Sequence, residues 1–204
     1  MDWLRQNSEV LNVALNGAML LVWVLYLQVF LSGFRRQRRA KIVISMGAGA
    51  GLDAQCLLSN MSEDAIYVAN LIAHVEAGDE GWDASFIDRR DVPDEEAGRD
   101  PTRRTRQGPL RAGDYMDAGA FRDLLGHVVP EGRDPETVFT RVEGILTVEV
   151  VALYAAEDLP VAARRRFRIR PDDDAPRLEP VDLHTEQVRS RRQRRRLARD
   201  GGRL

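Results

Sequence analysis

The first pattern of apolar and polar positions is an uninterrupted apolar run, residues 10–34, which contains no charged residue. At a rise of about 1.5 Å per residue, a helix of this length measures about 37 Å, which is enough to cross a hydrocarbon core of about 30 Å. The run therefore predicts one N-terminal transmembrane helix over residues 10–34, preceded by a short extracytoplasmic segment, residues 1–9.

After this run, short apolar segments bounded by glycine, asparagine, serine and aspartate predict β-strands. They cover residues 41–46, 55–59 and 65–75 and have the length of strands in a two-sheet sandwich. Residues 78–113 are rich in Asp, Glu, Arg, Gly and Pro, and residues 93–109 within them are predicted to be a disordered loop. Residues 119–129 place apolar side chains at helical spacing and predict one short helix.

A long hairpin is predicted between Thr140 and Ile169, with its turn near residues 157–160. In the first strand, one face carries Leu146, Val148, Val150, Ala152 and Tyr154. In the return strand, apolar side chains face one way, at Val161, Ala163, Phe167 and Ile169, and arginines face the other, at Arg164, Arg166, Arg168 and Arg170. This alternation predicts one buried face and one arginine-lined face. The strand pattern as a whole predicts a mainly-β domain over residues 42–170, an antiparallel β-sandwich of immunoglobulin-like kind.

Charge along the chain predicts the orientation of the membrane helix. Residues 35–41 form a basic juxtamembrane segment with a charge of +5, whereas residues 53–163 hold 23 acids against 10 arginines. Cationic residues are retained on the cytoplasmic side, so we expect the N-terminus outside and the β domain in the cytoplasm. Arginine outnumbers lysine 29 to one, a bias typical of GC-rich bacterial genomes, which favours a single-pass protein of a bacterial inner membrane.

One side of the predicted membrane helix carries polar and aromatic side chains at alternating spacings of four and three residues. The stripe consists of Asn12, Asn16, Met19, Trp23, Tyr26 and Phe30. Asparagine in lipid gains from hydrogen bonds to a neighbouring helix, so the stripe predicts docking on another membrane helix, from a second copy or a different protein. The alternative is that the asparagines lie near the outer headgroups and the aromatic side chains face lipid.

Basic residues near both ends of the domain predict anionic partners. Residues 171–204 are expected to form a linker and an arginine-rich tail helix, capped at Asp182 or Thr185. Anionic lipid, an acidic protein or the acidic body of the same molecule are the predicted contacts, and RNA is disfavoured because no aromatic residue follows Phe167. The candidate contact residues are Arg35, Arg36, Arg38, Arg39, Lys41, Arg189, Arg191, Arg192, Arg194, Arg195 and Arg196.

Residue types that carry catalysis or hold cofactors are sparse. Cys56 is the single cysteine, and the three histidines, His74, His127 and His184, do not form a metal-ligand spacing. Glycine at positions 47, 49 and 51 follows a predicted strand, where a dinucleotide-binding loop would stand, but no full helix fits before the next strand. The sequence therefore predicts no catalytic residue, no metal and no cofactor, and the alternative is a membrane-anchored enzyme that binds a nucleotide through residues 47–51.

Together these features favour a protein that works by binding rather than by catalysis. We expect the cytoplasmic domain to be a binding, scaffolding or regulatory accessory subunit of a membrane complex. Arginine and aromatic side chains often dominate binding energies at protein interfaces. The candidate protein contacts are Arg164, Arg166, Arg168, Arg170, Trp82 and Phe86.

Overall fold

The computed structural model describes residues 7–37, 40–87, 105–172 and 174–200. Two compact units divide the chain, Met1–Arg39 and Ala40–Leu204. The first contains helix α1, Ser8–Gln37, and its segment Ser8–Leu31 is long and apolar enough to cross a membrane. None of that segment is buried. Among the described residues it is the one candidate span, as the unbroken apolar run predicts.

The second unit is mainly antiparallel β-sheet. Its described strands are β1 Ile42–Met46, β2 Gln55–Asn60, β3 Ile66–Ala77, β4 Glu80–Ser85, β5 Gly108–Leu110, β6 Tyr115–Ala120, β7 Gly144–Tyr154, β8 Val161–Arg170, β9 Arg177–Pro180 and β10 Glu186–Val188. Its described helices are α2 Phe121–Val128, α3 Pro135–Phe139 and α4 Arg191–Asp200, with a 3₁₀ turn at Gly51–Asp53. The prediction of a mainly-β domain with a C-terminal arginine-rich helix is confirmed.

Two antiparallel sheets contribute to one core. The smaller has strand order β1-β2-β6, and the larger has the order β10-β8-β7-β3-β4, with β5 also paired to β3 and β9 to β8. Ile44 and Leu58 of the smaller sheet lie in the same apolar cluster as Val148 and Phe167 of the larger one. Helix α2 adds its predicted apolar side to this cluster, with Phe121, Leu124, Leu125 and Val128 all buried.

The predicted hairpin is confirmed as β7 and β8, joined in antiparallel register from Gly144 opposite Ile169 to Ala152 opposite Val161. The predicted inward residues of both strands are buried. β3 lies on the other side of β7 and pairs with it along its whole length, from Ile66 to Ala77. Because β7 is flanked on both edges, its apolar face becomes the centre of the larger sheet.

Several elements differ from the sequence-based expectation. Residues 80–85 form β4, although their polar composition does not predict a strand. A tight turn at Gly78, with φ of +59°, returns the chain along the open edge of β3, where these residues pair. A second short helix, α3, occurs beside α2, where one was predicted. The tail helix begins at Arg191 rather than near Asp182 or Thr185, because residues 186–188 first pair with β8 as β10. Most of the predicted loop 93–109 lies outside the described residues, which resume at residue 105.

Candidate interaction surface of the β domain

Four of the five arginines of β8 lie on the outer face of the larger sheet, and each of these four is matched by an acid. The acids come from the segment before β7, from β9, from the β9–β10 connection and from β10. The four ion pairs are Arg164 with Glu186 (2.8 Å), Arg166 with Asp182 (2.9 Å), Arg168 with Glu143 (3.3 Å) and Arg170 with Glu179 (3.2 Å). Each pair is partly exposed, so it contributes about 0–1 kcal/mol. The arginine-lined face is therefore a neutralised ladder rather than a free cationic surface.

Arg164 makes the most complete pair of this ladder. Its Nε and Nη2 donate to the two carboxylate oxygens of Glu186 at 2.9 and 2.8 Å. This paired donation lowers the pKa of Glu186 below its ordinary value. Since Glu186 belongs to β10, the pair also attaches the start of the tail to the larger sheet.

Glu149 stands between this pair and β3 on the same outer face. It lies opposite Ile72 on one side and Arg164 on the other. Burial raises the pKa of Glu149, while the charges of His74 and Arg164 lower it. Glu149 and Arg164 also line a small pocket of about 180 Å³. The other residues of its lining are Val188, Gln193, Arg196 and Leu197.

Arg165 points to the opposite side of β8, into the gap between the two sheets. Its Nη1 donates to the carbonyl oxygen of Ile44 in β1 at 2.6 Å, and its guanidinium lies 5.5 Å from the ring centre of Phe167. Its Nη2 reaches the carbonyl oxygens of Asp182 and Leu183. One charged side chain therefore joins the smaller sheet, the larger sheet and the tail segment.

The tail segment covers the edge of β1 that is not paired with β2. Thr185 Oγ1 accepts from the backbone N–H of Ile44 at 2.9 Å and donates to its carbonyl. The side-chain amide of Gln187 binds Ile42 in the same way: its Oε1 accepts from the backbone N–H at 3.1 Å, and its Nε2 donates to the backbone carbonyl at 2.6 Å. An open strand edge invites pairing with another chain. These side chains satisfy the edge and fix the tail beside the first strand of the domain.

Helix α4 continues from this segment and docks on the outer face of the larger sheet through two residues. Leu197 packs on a small apolar cluster of Ile72, Val151, Ala162 and Val188. Arg194, whose side chain is 12% exposed, donates to the carbonyl oxygens of Pro160 (2.7 Å) and Leu159 (2.5 Å) and pairs with Glu157 (2.6 Å). Arg194, predicted as a lipid or partner contact, therefore faces the domain.

The other arginines of α4 are exposed. No ion pair joins them to a residue whose side chain the structure describes, and the first turn of the helix contains no acid. They are Arg191, Arg192, Arg195, Arg196 and Arg199. Arg189, just before the helix, and Lys41, at the start of the domain, are exposed as well. Of the juxtamembrane arginines, Arg38 and Arg39 lie outside the described residues, and the side chains of Arg35 and Arg36 do too.

The two aromatic candidates of the polar segment have different environments. Trp82 is half-buried on β4, and the guanidinium of Arg133 lies 5.8 Å from its ring centre. Phe86 is only 2% exposed and packs in the main core, near Arg106 and His127. The expectation that Phe86 forms a contact surface is therefore wrong, because the strand pairing of β4 turns this residue inward.

Every described residue of the predicted helix seam is exposed on α1. Met19, Trp23, Tyr26 and Phe30 each expose about 60% of their surface, and Asn12 and Asn16 are exposed as well. The rings of Trp23 and Tyr26 meet edge to face, with centres 6.2 Å apart. A shallow groove with an almost wholly apolar lining runs along Trp23, Val24, Tyr26, Leu27 and Phe30.

The glycine-rich segment at residues 47–51 forms a tight connection between two antiparallel strands. Gly47 N–H donates to the carbonyl of Gln55, and Gln55 N–H donates to the carbonyl of Ala48. Gly49 has φ of +113°, and a Cβ there would lie 2.5 Å from the carbonyl oxygen of Asp53. The segment leads into a three-residue 3₁₀ turn and then β2, so no helix N-terminus follows that would hold a pyrophosphate. Glycine is needed here for the turn itself.

Residues with other reactive side chains do not form a constellation in the described regions. Cys56 is fully buried, and burial raises the pKa of its thiol to about 12. No group of three or more His, Cys, Asp or Glu side chains that could hold a metal occurs within the described ranges. Helix α2 is joined to α3 and to the 3₁₀ turn by Arg122, which pairs with both Asp53 and Glu136, a structural contact that sequence reasoning did not single out.

Comparison of the chain with protein-family models, with curated proteins and with solved structures finds no match.

Sequence reasoning also missed the residues that attach the tail, which are Arg165, Thr185, Gln187 and Arg194. Arg165 did leave a signal, since it interrupts the apolar positions 163, 167 and 169 of β8. A charged residue in phase with a buried face predicts a specific inward contact. Thr185 and Gln187 left no such signal, because their partners lie about 140 residues away in β1.

Proposed function

We propose that this chain is a single-pass protein of a bacterial inner membrane, with its N-terminus outside and its β domain in the cytoplasm. In this proposal the domain is a binding, scaffolding or regulatory accessory subunit of a membrane complex. The basic segment after α1 supports the orientation, and the excess of arginine over lysine supports a bacterial source.

The observation that carries the proposal is the complete exposure of the apolar segment of α1. The β domain buries its own core with residues from Ile42 onward, and none of Ser8–Leu31 is buried. Exposure of this 24-residue, mostly apolar segment to water would be strongly unfavourable. Lipid and a second membrane helix are the environments that match this surface, and the polar seam of Asn12 and Asn16 favours a second helix on one side.

The architecture of the domain supports the fold on which this proposal is built. Two antiparallel sheets with a shared core support a sandwich, and its immunoglobulin-like kind remains part of the proposal. The charged side chains of the outer sheet face are used in structural pairs, and the tail is attached by side chain to backbone bonds. The alternative, a nucleotide-binding enzyme, required the glycine segment to lead into a helix, and the 3₁₀ turn Gly51–Asp53 does not favour it.

Cysteine crosslinking in native membranes tests the helix seam. Single cysteines are placed at Asn16, Met19 and Trp23, and matched controls are placed on the opposite side of α1 at Ala14, Leu21 and Leu25. Because the native Cys56 is buried, the introduced thiols are the reactive ones. We expect disulfide or bifunctional crosslinks from the seam positions only. Equal crosslinking from both sides would remove the docking role of the seam.

Topology is tested separately with a cysteine at Ser8. A membrane-impermeant maleimide should label this position in spheroplasts, and should label a cysteine at the exposed Arg111 of the β domain only after the membrane is permeabilised. The reverse pattern would place the β domain outside and end the cytoplasmic part of the proposal.

A further inference from the structure

The outward face of α4 is a cluster of arginines that the described domain leaves unmatched. At 100° per residue, Arg191, Arg192, Arg195 and Arg199 fall within an arc of about 100°. This arc lies opposite Leu197, which packs on the sheet. Each of the four side chains is exposed, and none makes an ion pair with a residue whose side chain the structure describes.

The cluster is electrostatically unfavourable without an external anion. Arg191 with Arg195, and Arg195 with Arg199, are like-charge pairs at a spacing of four residues, which destabilise a helix. Arg191 and Arg192 also stand in the first turn, where the helix dipole disfavours a positive charge and where no acid is present. By contrast, each of the four arginines on the outer face of β8 has an acidic partner. The domain thus neutralises one set of arginines and presents the other.

Chain connectivity limits how far the start of α4 can lie from the end of α1. Gln187 is hydrogen-bonded to Ile42, which follows the end of α1 at Gln37 by five residues, and Arg191 follows Gln187 by four. At no more than about 3.5 Å per residue, these two segments span at most about 18 and 14 Å. Together with the side-chain contact between Gln187 and Ile42, these spans limit the distance between the start of α4 and the end of α1 to about 40 Å in any arrangement of the two units.

We propose that the outward arginines of α4 bind the anionic lipid headgroups of the membrane that holds α1. Arg194 and Leu197 attach the helix to the domain, so that lipid binding by its other side holds the domain at the bilayer surface. This proposal rests on the membrane anchoring proposed above. An RNA partner fits less well, because α4 carries no aromatic side chain on which bases could stack.

The test uses the full-length protein in nanodiscs of neutral phosphatidylcholine or of the same lipid with about one third phosphatidylglycerol. A fluorophore is attached to a cysteine at Ala198, which is exposed on α4, and energy transfer to an acceptor-labelled lipid reports the distance to the bilayer. Each arginine near an anionic surface raises partitioning about fivefold. We expect high transfer in anionic discs, low transfer in neutral discs, and loss of the difference at high salt.

The variant R191Q/R192Q/R195Q/R199Q should show the low energy transfer of neutral discs in both lipids, because four charges amount to several hundredfold in partitioning. The matched control removes the same charge from exposed arginines elsewhere, at Arg111, Arg133, Arg141 and Arg177, and should keep the response to anionic lipid. An unchanged signal in the first variant, or an equal loss in the control, would overturn the proposal.

Two further measurements separate the other outcomes. Flotation of the protein with liposomes at high salt and alkaline pH reports insertion of α1. Protein that does not float contradicts the proposed membrane anchor, whereas protein that floats without a lipid-dependent signal at α4 contradicts only this inference. A response of the fluorophore to added RNA oligonucleotides in neutral discs, stronger than its response to anionic lipid, would assign the arginines to RNA and overturn the lipid role.

Discussion

Replacement of Arg194 by alanine should weaken the docking of α4 on the β domain without unfolding the domain. The wild-type side chain makes two bonds to backbone carbonyls and one ion pair, at 2.5 to 2.7 Å, and is largely buried. Hydrogen bonds from a charged group contribute about 1.5–3 kcal/mol each, and they are not additive here because detachment removes all three together. We therefore expect local opening of α4 to become easier by about 2–3 kcal/mol, or roughly 30- to 150-fold.

Hydrogen exchange with mass spectrometry on the full-length protein in detergent measures this opening directly. Peptides from residues 188–200 should exchange faster in Arg194→Ala by roughly the factor above, since exchange follows the free energy of local opening. Arg195→Ala is the matched control. It removes the next arginine, which is exposed and makes no ion pair with a described residue, so it should change exchange less than about twofold, within the range of an ordinary surface substitution.

Two results would refute this reasoning. If Arg194→Ala and Arg195→Ala accelerate exchange in α4 equally, the contacts of Arg194 do not hold the helix. If Arg194→Ala accelerates exchange in β7 as much as in α4, the residue stabilises the whole domain rather than the docking of its last helix.

Three further predictions concern the β domain. Cys56 should resist maleimide at pH 8 in the native protein and react fully in denaturant, because burial raises its pKa to about 12; rapid labelling of folded protein would contradict its placement. Gly49→Ala should lower the free energy of unfolding by about 2 kcal/mol or more, since φ is +113° and the new Cβ meets the Asp53 carbonyl. Gly126→Ala, in an open position of α2, should raise the free energy of unfolding by up to about 1 kcal/mol. If chemical denaturation shows that both glycine variants change this free energy in the same direction, the reasoning is refuted. Burial raises the pKa of Glu149 above 4.5, so its contribution to stability is present at acid pH and is lost as the pH rises. Wild-type Tm should thus fall relative to Glu149→Gln from pH 4 to pH 8, whereas a pH-independent difference would count against burial as the cause.

The strands that sequence reasoning placed correctly are those with their own periodic pattern. β7 and β8 carry apolar residues at alternate positions of one face, so their buried faces follow from the period of the strand. β3 is a long, mostly apolar run. β4 and β10 have no such pattern. They form because backbone N–H and C=O groups along one edge of β3 and one edge of β8 are available for pairing. These edges exist only after the longer strands have assembled.

The same distinction between local pattern and long-range pairing applies to the residues of the candidate surfaces. The outward position of Arg164 and Arg166 follows from alternation, but their acidic partners Glu186 and Asp182 lie 22 and 16 residues away, and no local rule connects them. Similarly, the sequence of the tail predicts a uniformly basic helix. Which of its arginines faces the domain depends on the carbonyl groups of residues 159 and 160, which the β7–β8 connection places beside α4.

Local composition was enough to establish the apolar span of α1 and the buried faces of β7 and β8. Both follow from short-range physics: an unbroken apolar run needs an apolar environment along its whole length, and a strand with period two has one apolar side. Which charges are neutralised and which remain exposed emerged only from long-range packing. Arg165 and Arg194 became structural, and Arg191 and Arg195 stayed exposed, because the position of a partner depends on strand register and chain path rather than on neighbouring residues.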